Sequence, residues 1–121
     1  MRDLRRRVIV ALAAVLATAA SAAHAHQMSP DDVIARLRTA AARAQYDVIA
    51  VERHAELPRL LLVRVGPRWR DVPAGRRREA AEDWRQGWRH SVPQGIVSIV
   101  DAADGHAVVN FDGRGNALLT P

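Results

Sequence analysis

The longest apolar run in this chain, Val8 to Ala20, is placed where it cannot serve as core. It follows Arg2, Arg5, Arg6 and Arg7 and precedes small-residue cleavage sites, the layout of a secretory signal. At about 13 residues it is shorter than the ~20 that a spanning helix needs. Reading 1–25 as a cleavable signal leaves 26–121, about 96 residues, as one domain with no transmembrane segment. That remainder contains no cysteine, so an exported chain of this size must be stabilised by packing without disulfides. The location this implies is periplasmic or secreted.

The mature region reads as α+β. Ser29-Pro30-Asp31-Asp32 combines a capping serine, a proline suited to the first turn, and carboxylates facing the positive helix end. Val33, Ile34, Leu37, Ala40, Ala41 and Ala44 then recur at helical spacing, which predicts one continuous first helix. The β-branched run Tyr46 to Arg53 and the run Arg59 to Val65 predict an antiparallel hairpin that turns through His54 to Pro58.

A second helix is expected from a lead-in containing Trp69, with Asp71 as a possible cap and Pro73 in the first turn, to about His90. Its apolar stripe is narrow: Ala80, Ala81, Trp84 and Trp88, the two indoles one turn apart and expected in the core. Ile96 to Val100 and His106 to Phe111 form a second hairpin, and Ala117 to Thr120 allow a short final strand. The order is α-β-β-α-β-β, with both helices packed on one face of a mainly antiparallel sheet.

Charge narrows the partner classes. All 18 basic residues are arginine, and the net charge of +5 includes +3 from the signal, leaving +2 on the mature domain. That small value, an extracytoplasmic location and the lack of any groove-reading or base-stacking motif argue against nucleic acid. Charge is nevertheless uneven, with nine arginines between Arg59 and Arg89 against four carboxylates. Trp69, Arg76, Arg77, Arg85 and Arg89 are the candidate partner surface, facing an envelope protein or an anionic surface. A solvated helix face with pairs such as Arg78 to Glu82 also explains the arginines.

No sequence pattern supports an enzyme. There is no cysteine nucleophile, Gly-x-Ser-x-Gly elbow, phosphate loop or His-Glu-x-x-His. Asp101, Asp104 and His106 cluster in sequence, but turn chemistry accounts for them, and Asp112 to Asn116 lacks the spacing of a calcium loop. No cofactor is expected beyond one conditional metal.

The conditional metal is copper. Cleavage after Ala23 exposes His24-Ala25-His26, whose amine, two backbone amides and third-residue imidazole suit Cu(II) or Ni(II) in a plane. Cleavage after Ala25 makes His26 the first residue, whose amine and imidazole need a further ligand from His54, His90 or His106. That arrangement resembles the terminal-histidine copper sites of some secreted copper proteins, over one residue and its Ala-His-Ala context. The leading expectation is an exported, non-enzymatic binding or accessory domain, with copper binding as its rival.

Overall fold

The computed structural model describes residues 28–121, so the expected signal, its cleavage sites, His24 and His26 lie outside the described residues. The elements are α1 (Pro30–Leu37), α2 (Ala40–Tyr46), β1 (Val48–Arg53), β2 (Leu60–Val65), a 3-10 turn (Pro67–Asp71), α3 (Ala74–Ser91), β3 (Ile96–Asp101), β4 (Ala107–Phe111) and β5 (Ala117–Leu119). The five strands lie in the order β1-β2-β3-β4-β5. Both expected hairpins form and the short final strand is present, in a broadly α+β domain.

One junction in the sheet is parallel. Leu60 to Val65 run alongside Ile96 to Asp101 in the same direction, because α3 carries the chain back to the starting end before β3 begins. Every other strand pair is antiparallel.

The expected continuous first helix is in fact two. Ser29 and Asp32 form a reciprocal capping box that starts α1, and Val33, Ile34 and Leu37 are buried. After Leu37 the helix stops. Thr39 adopts extended backbone and its Oγ1 accepts the Ala42 N–H, so it caps a new helix. Arg38, at the break, donates from Nε and Nη2 to the Val51 carbonyl at 2.9 and 2.6 Å, satisfying an outward-facing group of the edge strand β1. Ala40, Ala41 and Ala44 are exposed, since alanines extend the apolar period while offering little area to bury. Asp47 ends α2 in the left-handed region, and its carboxylate takes the Arg68 N–H at 2.9 Å and pairs with the guanidinium.

The long helix also begins differently. Asp71 belongs to the 3-10 turn, and Pro73 occupies the N-cap position without a side-chain hydrogen bond. The core is a single cluster of α1, α3 and the inward side chains of β1 to β5, with Leu61, Val63, Val65, Trp69, Trp88 and Ile99 essentially inaccessible. Trp88 brings one polar atom into it, its Nε1, which donates to the Arg59 carbonyl at 2.8 Å.

Candidate functional site

The helix break opens a groove on the helical side of the domain. Because the chain turns at Arg38 and Thr39, α2 departs from the line of α1 and leaves a cleft of about 720 Å³ between the two short helices and α3. Val33, Leu37, Ala42 and Tyr46 form one wall, with Trp84 and Gly87 opposite. Arg36, Gln45, Asp83, Gln86 and His90 also line it, so apolar and polar groups share one concavity.

The aromatic wall is braced from behind. Tyr46 meets Trp84 edge-to-face at 5.6 Å between ring centroids, and Trp69 lies 5.9 Å from Trp84 and 6.4 Å from Tyr46. Trp69 is 1% exposed. It therefore leaves the candidate partner surface: the 3-10 turn seats its indole in the core, where its Nε1 has no hydrogen-bond partner among the described residues. Trp84 is only half-buried, which fits an aromatic shared between core and groove.

The four arginines of that candidate surface do not act as one patch. Arg76 lies on the first turns of α3, away from Arg85 and Arg89, which line a separate cleft of about 360 Å³ with Glu82, Gln86 and the turn Arg114 to Asn116. Arg77 is partly buried, with its Nε lacking a hydrogen-bond partner among the described residues. Arg114 has no local signal in the sequence, because the contact that brings the β4–β5 turn to α3, Arg85 against Gly115, spans 30 positions.

The three histidines within the described residues are apart and exposed. His54 sits in the β1–β2 loop, where its Nδ1 accepts the Glu56 and Leu57 N–H groups. His90 lies on the last turn of α3. His106 follows the β3–β4 turn beside Asp104, at the opposite end of the sheet from His54. No group of three or more metal-ligating side chains occurs among the described residues.

The acidic turns hold themselves together. Asp101 Oδ1 accepts the Ala103 N–H, and Asp104 Oδ1 accepts the His106 N–H, each at 2.8 Å. Asp112 takes the N–H groups of Arg114 and Asn116 and the Asn116 side-chain amide. Those donors, the Asn116 backbone first, hold the Asp112 carboxyl below its ordinary value.

No protein-family model, curated protein or solved structure matches this chain. Among the described residues, no helix is long and apolar enough to cross a membrane.

Proposed function

We propose that this is a small exported, non-enzymatic binding domain acting in the periplasm, with the groove between α1–α2 and α3 as its binding site. The observation that carries the reading is the groove itself: about 720 Å³, walled by Tyr46 and Trp84, with polar side chains making up close to half of its lining. That volume lies within the range of small-ligand sites. The ligand feature it fits is an apolar moiety carrying a polar end, the former against Trp84, the latter toward Arg36 or His90. The signal-like leader supports export.

The test is titration with N-phenyl-1-naphthylamine, a neutral dye that fluoresces in apolar sites. Saturable one-to-one binding by the folded protein, weakened about tenfold or more in Trp84→Ala, supports the groove. No saturable dye binding, or equal binding by Trp84→Ala, overturns it. Turnover of any substrate in an activity screen overturns the non-enzymatic part.

Copper remains a second reading because of one contact. Ser91 Oγ donates to the Met28 carbonyl at 2.8 Å, so the described chain enters the fold beside His90. A chain processed after Ala25 starts only two residues before that anchor, a span of at most about 7 Å. His90 is thus the body imidazole best placed to complete a His26 chelate. Mass spectrometry of the exported protein followed by Cu(II) titration decides: a start at His26 with affinity lost in His90→Ala supports it, whereas a start beyond His26 ends it.

A further inference from the structure

We propose that Arg85, Arg89 and Arg114 form a binding site for a phosphate group, carried by a soluble phosphate compound or by a lipid headgroup. The proposal does not depend on the groove. Arg85 and Arg89 are one helical turn apart on α3 and so share a face. The β4–β5 turn brings Arg114 to the same cleft of about 360 Å³.

What sets these three guanidinium groups apart is that they line one cleft and are unengaged, whereas four others are bonded elsewhere. Arg38 is bonded to Val51, Arg53 to Pro58, Arg64 to Glu52 and Arg68 to Asp47. Arg85, Arg89 and Arg114 make no side-chain hydrogen bond or ion pair among the described residues.

The neighbouring carboxylates are committed elsewhere. Glu82, the one acidic group lining the cleft, accepts the Ala117 N–H at 3.0 Å through Oε1 and so pins β5 to α3. Asp112 is occupied by its own turn. The lining therefore holds three cations against one carboxylate.

Arg85 is also held in place. Its Cζ lies 5.7 Å from the centroid of the Phe111 ring, and its guanidinium rests against Gly115. A Cβ at Gly115 would collide with Nη1 and lie 3.0 Å from Cζ, and the backbone there has φ of 85°. Glycine satisfies both demands at once.

The three guanidinium groups that line this cleft offer more donors than its single carboxylate can accept, and they match the several oxygens and double charge of a phosphate. The surface is open, so the group can be the end of a larger molecule.

The test uses inorganic phosphate at constant ionic strength, followed by NMR of the arginine side-chain and Gly115 and Asn116 backbone N–H signals. Saturable shifts are expected with phosphate, and about tenfold weaker affinity in Arg89→Ala and in Arg114→Ala. Arg76→Ala, outside the cleft, retains wild-type affinity. Both cleft substitutions are at exposed positions, and cooperative unfolding of each variant confirms its fold. Absent saturation, or equal weakening by Arg76→Ala and Arg114→Ala, overturns the site.

Sedimentation with phosphatidylglycerol vesicles separates the sources. Retention that phosphate competes away and Arg114→Ala abolishes assigns a lipid headgroup. Phosphate binding without vesicle retention assigns a soluble phosphate compound.

Discussion

Gly95→Ala tests whether the core is wedged around Trp88. A Cβ at position 95 would lie 2.7 Å from Cδ1 and 2.9 Å from Nε1 of Trp88, and 3.0 Å from the Val92 carbonyl oxygen. Comfortable heavy-atom contact requires about 3.5 Å, so something must move by roughly 0.8 Å. The indole has little freedom to do so. It is fully buried, and its Nε1 is tied to the Arg59 carbonyl at 2.8 Å.

Overpacking of this kind costs about 1–3 kcal/mol, and weakening the indole bond adds up to about 1 kcal/mol. Against this, alanine narrows the unfolded ensemble and returns about 0.4–1 kcal/mol. Gly95 is not among the positive-φ glycines, so the cost is steric. The expected net loss is about 1–3 kcal/mol, or roughly 5–20 °C in Tm for a domain of this size.

Urea denaturation followed by tryptophan fluorescence measures the loss, and the indole N–H resonance of Trp88 reports the displacement. Repeating the substitution in a Trp88→Phe background should recover at least about 1 kcal/mol, as a contact pair requires. Equal or greater stability in Gly95→Ala, with an unmoved indole resonance, would show that Trp88 is not wedged against Gly95.

Two other expectations concern the joints around the helices and turns. Thr39→Ala removes the α2 cap and should cost about 0.5–1 kcal/mol in urea denaturation, while weakening dye binding because α2 carries Tyr46. Asp112→Asn should lower stability at neutral pH. The wild-type carboxyl is held below its ordinary 3.8 in the fold, so its contribution is complete above that value and disappears as pH falls through the lower folded value. Stability curves for the two proteins should therefore converge toward acid; a constant gap would contradict the role assigned to the carboxylate.

The sequence made the large elements legible where side-chain area and period agreed. Val33, Ile34 and Leu37 mark the buried face of α1, and the β-branched runs mark both hairpins. Alanine misled at Ala40, Ala41 and Ala44: it preserved the period without enough area to hold one straight helix against the sheet. Thr39 was the available signal, a capping side chain within an otherwise helical pattern.

The candidate site was less legible for the same physical reason. Its groove exists because α2 turns away from α1, and Trp69 leaves the surface because a 3-10 turn directs it inward. The parallel β2–β3 junction and the approach of the Arg114–Asn116 turn to Arg85 depend on distant segments meeting, which no local period encodes.

The most direct test of the proposed binding function is to fill the groove without disturbing the fold. A Cβ at Gly87 meets nothing within 4 Å, so Gly87→Leu can occupy the groove without a clash at its first carbon. It also replaces a mid-helix glycine, which should preserve or raise stability by up to about 1 kcal/mol. Binding of N-phenyl-1-naphthylamine should weaken at least tenfold, with Tm unchanged or higher. Wild-type affinity in a stably folded Gly87→Leu protein would contradict the groove as the binding site.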